Sequence, residues 1–357
     1  MKAWVFFEKG TQNLTKQHYF PIPHIKNEYD VLIKIIAAGL NPIDALKFTF
    51  DISFPAIAGM DGCGIVEKIG PSVDPKEIPP GSLVYFVHGI MDSNGTFADY
   101  IVKDARSIAV IPEEVYKGKD INRIATTFGG LAKVCVVAYY DIVIKAGLNI
   151  YELANPSPYP MVKSIVITGA SGGVGSYCIQ FARLYKEMQP VEVQDFIKII
   201  AVTAEEHIEY VKSLGATHTI DWKHQNIREK VMEITDDQGA DVYIDNIGDT
   251  HKGISCLGYN GIYVSNLPIK EDYDLLTQIQ NQINLYRVDI IQALNSDNID
   301  SMQEIKGILE VIVGLVAEGK IFPIHEEVIQ FDHIKNALPH VKQKHTVGKV
   351  IAVINDI

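Results

Sequence analysis

Residues 164–168 form a short apolar run that leads directly into Gly169-Ala170-Ser171-Gly172-Gly173-Val174-Gly175, and a helix-like stretch follows at 176–186. A strand that turns on glycines into a helix constrains this chain more than any other stretch. It reads as the later part of a G-x-G-x-x-G pattern, with Ala170 in the first glycine's place, then Gly172 and Gly175. Gly172 permits close backbone approach to a dinucleotide pyrophosphate. The helix N-terminus supplies N–H donors, and Gly175 lets the helix pack against the strand. A tight structural turn is the competing explanation of a lone glycine cluster, but here more strand–helix alternation follows. Residues 197–203 read as a second buried strand, 205–214 as a helix, and 242–246 and 261–265 as further strands. That alternation is the mark of βαβ units and a parallel sheet.

The end of the second strand bears on the cofactor. NAD sites usually carry an Asp or Glu there for the ribose 2′-hydroxyl. This strand ends in Thr203, which has no charge to repel a 2′-phosphate, so NADP(H) is favoured over NAD(H). Glu205 and Glu206 follow, and His207 is the nearest cation. The first ~125 residues have a different texture. Short apolar runs at 31–40, 65–69, 83–87, 97–102 and 108–111 are punctuated by Gly, Pro, Asn and Asp, which suggests a sheet or barrel. Residues 124–145 read as a helix, 155–160 as a proline-rich loop, and 322–357 as a return to strand-like segments.

The chain has 357 residues, enough for two domains at roughly 100–200 residues each. Its net charge of −12 argues against nucleic acid or an anionic membrane as main partner, since no broad positive field is expected. The longest apolar stretch, 134–144, is broken by Asp141 and is too short to span a bilayer. The four cysteines, Cys63, Cys135, Cys178 and Cys256, form no C-x-x-C pair. They read as reduced, buried thiols in a cytoplasmic protein. His88, His207, His218 and His224 show no ligand spacing, and no metal is expected.

Taken together, several segments resemble the medium-chain dehydrogenase/reductase superfamily, and more narrowly its zinc-free quinone oxidoreductase branch. They are AAGLNPID (37–44), FPAIAGMDGCGIVEKIG (54–70), GSLVYFVHG (81–89), GTFADYIV (95–102), IVITGASGGVGSYCIQFAR (165–183), LGATHTIDW (214–222), ADVYIDNIG (240–248) and VGKVIAVI (347–354). The resemblance implies an α/β fold: a GroES-like β-barrel catalytic domain (1–130 and 290–357) with an inserted Rossmann domain, a doubly wound parallel sheet (131–289). It places pyrophosphate contacts at Ser171, Gly172, Gly173 and Val174, and adenosine-side contacts at Thr203 and Trp222. Nicotinamide-side contacts fall at Asn41, Asn246, Ser265 and Asn266, with Lys349 near the cleft.

Zinc-dependent relatives carry a Cys in the first motif, a G-H-E triplet and a four-cysteine lobe. Here the first motif is Asn41-Pro42-Ile43-Asp44, the triplet is Gly59-Met60-Asp61, and the lobe is absent. A Tyr that often faces substrate is replaced in Ala45-Leu46-Lys47-Phe48, and a Thr that often contacts the carboxamide appears as Val137. About 12 extra residues around 187–195 get no role. The expectation is zinc-independent, NADPH-dependent hydride transfer to a small-molecule acceptor, a quinone or α,β-unsaturated carbonyl. Asn41, Asp44 and Lys47 are candidates to position substrate or relay a proton, although Asp44 could instead cap a turn and Lys47 could be a solvated charge. An enoyl-thioester reductase, or a cofactor-binding regulatory or structural protein, are the alternatives. A homodimer is expected by resemblance.

Overall fold

The structure is a computed structural model that describes residues 1–151, 162–270, 275–289, 294, 298–324, 326–343 and 346–357. The loop expected at 155–160 lies outside the described residues. The chain divides into two compact units, Met1–Val136 with Ile291–Ile357, and Val137–Ile290. The sequence reading set the boundaries at 130/131 and 289/290.

The first unit begins with eight strands: β1 (Ala3–Phe6), β2 (Leu14–Gln17), β3 (Asp30–Leu40), β4 (Ala56–Ile57), β5 (Asp61–Ile69), β6 (Leu83–Val87), β7 (Tyr100–Asp104) and β8 (Ile108–Val110). Two helices follow, α1 (Glu113–Tyr116) and α2 (Ile121–Tyr139). Strands β2, β1 and β4 form a three-stranded antiparallel sheet. The long strand β3 organises the larger sheet, pairing antiparallel with both β5 and β7. Its Val31, Ile33, Ile35 and Ile36 are β-branched and buried, which suits a strand covered on both faces.

The second unit alternates strand and helix: β9 (Ser164–Thr168), α3 (Gly173–Glu187), α4 (Val191–Gln194), β10 (Lys198–Thr203), α5 (Ile208–Ser213), β11 (His218–Asp221), α6 (Ile227–Ile234), β12 (Ala240–Asp245), α7 (Thr250–Ser255), β13 (Leu257–Ser265), α8 (Leu275–Gln280) and β14 (Asn284–Arg287). All of its strands run parallel, in the order β11-β10-β9-β12-β13-β14. The order reverses between β9 and β12, and ligands of such sheets bind beyond the carboxyl ends of the strands at that switch point.

The chain then returns to the first unit with α9 (Ile299–Ala317), β15 (Glu326–Gln330), α10 (Ile334–Lys342) and β16 (Lys349–Val353). Strand β16 inserts between β15 and β3, completing a seven-stranded sheet. Ile334, Leu338 and Val341 of α10 join Trp4, Phe6, Ile33 and Phe331 in one core.

Three elements differ from the sequence reading. The stretch 322–357 is not all strand: α10 occupies its middle, because its apolar residues recur at helical spacing onto the sheet. The 19-residue α9 was not anticipated. The expected helix 124–145 starts at Ile121 and changes winding after α2, becoming a π-helical turn over Tyr140–Lys145, where Ala146 N donates to Asp141 O at 3.0 Å. The apolar run 134–144 thus belongs to a helical stretch of 25 residues, long enough to cross a bilayer by length alone, though 78% of its most apolar window is buried.

Candidate cofactor and active site

Each unit carries a buried polar cluster. In the first unit, Asn41 ends β3 and opens the 3-10 turn Pro42–Thr49, where Pro42 supplies the preset φ of a first helical position. Its backbone N–H donates to Asp44 Oδ2 at 2.7 Å. Because β16 pairs with β3, Lys349 falls beside Asn41, and β5 brings Asp61 to the same place. Lys349 Nζ donates to Asn41 Oδ1 at 2.6 Å and to Asp61 Oδ2 at 2.8 Å, while Asn41 Nδ2 donates to Asp61 Oδ2 at 3.0 Å. Gly39 makes room for the group: a Cβ there would sit 2.8 Å from Asp61 Oδ2, Gly129 O and Lys349 Cε alike.

Asp44 is fully buried, and its Oδ1, like Asp61 Oδ1, has no hydrogen-bond partner among the described residues. Burial, then the charge of Asp61, pushes the Asp44 carboxyl up to about 7, against the pull of the Asn41 N–H, Lys349 and Lys133. Lys133 of α2 is held below the usual lysine range by burial, opposed by Asp61. Sequence reasoning missed Asp61 and Lys133, which reach the cluster only through strand pairing and helix packing.

Lys47 stands apart from this cluster. It is completely buried, and Nζ donates to Ile57 O at 2.6 Å and Asn94 O at 2.5 Å. It is neither the solvated charge nor the substrate-facing group that the sequence suggested. It ties the end of β4 to the loop at Asn94 through their carbonyls, and His88 Nε2 also lies 3.1 Å from Asn94 O.

In the second unit, the glycine turn joins β9 to α3. Gly169, not Ala170, takes the left-handed conformation, at φ +58°. A Cβ on Gly175 would lie 2.3 Å from Gly169 O, so this glycine is required for helix and strand to approach. A Cβ on Gly172 would meet only Gly169 O, at 3.3 Å, leaving open space over the turn. Gly172 is the N-cap of α3 and offers no side-chain cap, and the helix has no acidic residue in its first turn. The N–H groups of Gly173 and Val174, which no helix can satisfy internally, are therefore available to an anion. Ser171, Gly172, Gly173 and Val174 are all half-buried.

Thr203 ends β10, 2% exposed, and its Oγ1 has no partner among the described residues. Trp222 follows β11 with 56% of its surface exposed; its backbone N–H donates to Thr203 O at 3.2 Å, and Lys223 Nζ lies 5.9 Å from its ring centroid. Lys223 also pairs with Glu206 at 2.7 Å. Glu205, Asp221 and His224 bring potential ligand atoms within 4.8 Å of one another. Asp221 is already engaged by His224 and the Lys223 N–H, and among the described residues nothing else marks an ion site.

Asn246 and Asn266 follow β12 and β13. Asn246 Nδ2 donates to Thr168 O at 2.9 Å, and Asn266 Nδ2 donates to Asn246 Oδ1 at 2.6 Å. Ser265 Oγ is occupied with Leu267 O at 3.1 Å and Asp245 O at 3.3 Å. The glycine cradle, the uncapped helix start and the unpartnered oxygens of Thr203 and Asn266 all fit a bound dinucleotide. The structure thus gathers the expected residues into a set in each unit: Asn41, Asp44 and Lys349 in the first, and Ser171–Val174, Thr203, Trp222, Asn246, Ser265 and Asn266 in the second. Lys47 joins neither. Asp141, bound to Asn266, was missed as a site residue; the break it makes in an apolar helix was its only sign in the sequence.

A GroES-like unit interrupted in sequence by a unit with a six-stranded parallel sheet defines a class of dehydrogenases and reductases. The family model of the alcohol dehydrogenase GroES-like domain matches residues 27–113, and that of zinc-binding dehydrogenases matches 214–351. The chain belongs to the medium-chain dehydrogenase/reductase superfamily. It is 26% identical over 370 residues to an NADPH-dependent alkenal/one oxidoreductase of Arabidopsis thaliana, covering 98% of this chain and 79% of that protein. It is 30% identical over 267 residues to the trans-enoyl reductase pgmF of Aspergillus terreus, covering 70% of this chain and 65% of that protein. The Escherichia coli quinone oxidoreductase, solved in complex with NADPH, superposes with a TM-score of 0.75 at 20% identity, covering 99% of this chain and 100% of that one, a likeness of fold.

Zinc fits the first unit poorly. At the motif positions where zinc-dependent members hold Cys and His stand Asn41 and the thioether of Met60, and all four cysteines are buried and separate.

Proposed function

We propose that the chain is an NADPH-dependent oxidoreductase that reduces a quinone or an α,β-unsaturated carbonyl without zinc. The observation that carries the cofactor half is the glycine turn, open over Gly172 and closed under Gly175, at the start of an uncapped helix. Ser171, Gly172, Gly173 and Val174 would hold the pyrophosphate, Thr203 and Trp222 the adenosine end, and Asn246, Ser265 and Asn266 the nicotinamide end. Asn41 and Lys349 hold Asp44 and Asp61 in place. Thr203 has no charge against a 2′-phosphate, and Lys223 neutralises Glu206, which supports NADPH over NADH.

When bound, NADPH would supply a hydride to an electron-poor carbon of the acceptor. The protein offers no strong Lewis acid from Asn41 and Met60, so an acceptor whose product anion is already delocalised suits it best. Asp44, with its carboxyl near 7 and one oxygen unpartnered, holds a proton that such an anion can take. Steady-state assays with NADPH and NADH against quinones, enones, enoyl thioesters and simple aldehydes test the reading. Fastest turnover of simple aldehydes, lost on adding a chelator, overturns it. The similarity to a trans-enoyl reductase favours enoyl thioesters as the second reading, and the same panel separates the two. NADPH binding without turnover of any acceptor would instead mark a regulatory or structural protein. The reading includes a homodimer in the cytoplasm, tested by light scattering and by imaging a tagged chain.

A further inference from the structure

Asp141 has no part in the reading above, yet it sits at the root of the second unit's polar network. It lies in the π-helical turn Tyr140–Lys145, and its side chain is completely buried. Oδ2 accepts from Asn266 Nδ2 at 2.9 Å and from the Cys178 thiol at 3.7 Å, while Oδ1 has no partner among the described residues. Burial pushes the carboxyl up to about 7, with Asn266 and Cys178 pulling it down. Asn266 Nδ2 also donates to Asn246 Oδ1 at 2.6 Å, and Asn246 is itself anchored on Thr168 O. Both amide hydrogens of Asn266 are thereby committed, and its Oδ1 is buried with no partner among the described residues.

Above about pH 7 the Asp141 carboxyl is ionised and only accepts hydrogen bonds, so there it admits a neighbouring amide in one orientation, nitrogen inward. The residue one turn earlier, Val137, has no polar group that could do the same.

We propose that Asp141 is a positioning residue that locks the Asn266 amide, leaving Asn266 Oδ1 as an acceptor for the carboxamide NH2 of a bound nicotinamide. The proposal rests on the NADPH reading. Asp141 never touches the cofactor; it acts through Asn266, whose two amide hydrogens are divided between Asp141 and Asn246.

Calorimetric titration of NADPH and of adenosine 2′,5′-bisphosphate, which lacks nicotinamide, tests it. The proteins are wild type, Asp141→Leu, Asp141→Asn, Asn266→Ala and the double variant Asp141→Leu/Asn266→Ala. Leu keeps the size of the side chain and removes the acceptor. Asp141→Leu is expected to bind NADPH about tenfold more weakly and the bisphosphate as wild type does. Asp141→Asn, whose amide oxygen still accepts, restores most of the loss. Asp141→Leu adds nothing to Asn266→Ala, as required of a residue acting through its neighbour. Wild-type NADPH affinity in Asp141→Leu, equal loss of both ligands, or additive losses in the double variant overturn the proposal. A wild-type protein that binds neither ligand overturns the cofactor reading itself, and this proposal with it.

Discussion

Gly172 and Gly175 stand three residues apart in one turn and do different work. A side chain at 175 meets Gly169 O at 2.3 Å and Ala170 Cα at 2.8 Å, both backbone atoms that cannot step aside. Gly175→Val is therefore expected to lower stability by about 1–3 kcal/mol and to lose NADPH binding as well. A side chain at 172 enters the space left for the pyrophosphate and meets only Gly169 O, at 3.3 Å, so Gly172→Val should lose less stability than Gly175→Val, about 1 kcal/mol, and lose binding. Thermal melts beside NADPH titrations check both, and tight binding by Gly172→Val would displace the pyrophosphate from this turn. Asp44 carries the second prediction at this scale. Its carboxyl must be protonated to give up a proton, so turnover should fall as pH rises through about 7. In Asp44→Asn that limb should vanish and kcat drop roughly 100-fold. A pH–rate profile with the limb intact would take the proton away from Asp44. Spacing alone singled out the glycines, and the resemblance made Asn41 and Asp44 candidates. Local sequence could not separate Lys47 from them, because that lysine's partners are the Ile57 carbonyl on β4 and the Asn94 carbonyl 47 residues away.

Helix α3 begins with no acidic residue in its first turn and no side-chain cap. An acidic residue there ordinarily favours the helix by about 0.3–1 kcal/mol through the macrodipole. Val174→Asp should therefore leave the melting temperature equal or higher while raising the NADPH dissociation constant more than tenfold, since its carboxylate competes for the N–H groups and repels phosphate. Paired melts and titrations read the two opposite effects, and unchanged affinity would free this helix of a cofactor role. The strands of the parallel sheet were legible as elements because burial on both faces makes them continuous apolar runs, as in residues 164–168. The π-helical turn after α2 was not legible, since no side-chain pattern distinguishes it from the α-helix it continues. Helix α10 was hidden among strand-like neighbours, and its amphipathic face shows only against the core that receives it.

At the scale of the whole chain, the first unit needs both ends of the sequence. Strand β16 lies between β15 and β3 and brings Lys349 to Asn41 and Asp61. A chain ending before Lys349 loses the neighbour of β3 and the counter-charge of a buried aspartate, so near-UV circular dichroism should show loss of tertiary packing in that unit. A native spectrum from the shortened chain would refute this. Stability should also depend on pH. Asp44 and Asp141 both have carboxyls raised to about 7 in the folded protein. Each binds its proton more tightly folded than unfolded. Their contribution is thus fully present below about pH 4 and lost as pH rises through about 7. In urea unfolding, the fall in stability between about pH 5 and about pH 8 should be smaller in Asp44→Asn/Asp141→Asn than in wild type.

By itself the sequence determined the parallel sheet and the glycine turn, because these rest on local periodicity and on glycines at fixed spacing, while the interrupted first unit and the candidate cofactor residues came from the resemblance its ordered motifs carry. Only the tertiary structure decided which polar groups meet. Asp61, Lys133 and Lys349 converge on Asn41 through strand order and helix packing, and Asp141 reaches Asn266 across 125 residues of chain. A buried charge is defined by its partners, and partners far apart in sequence leave no local pattern to read.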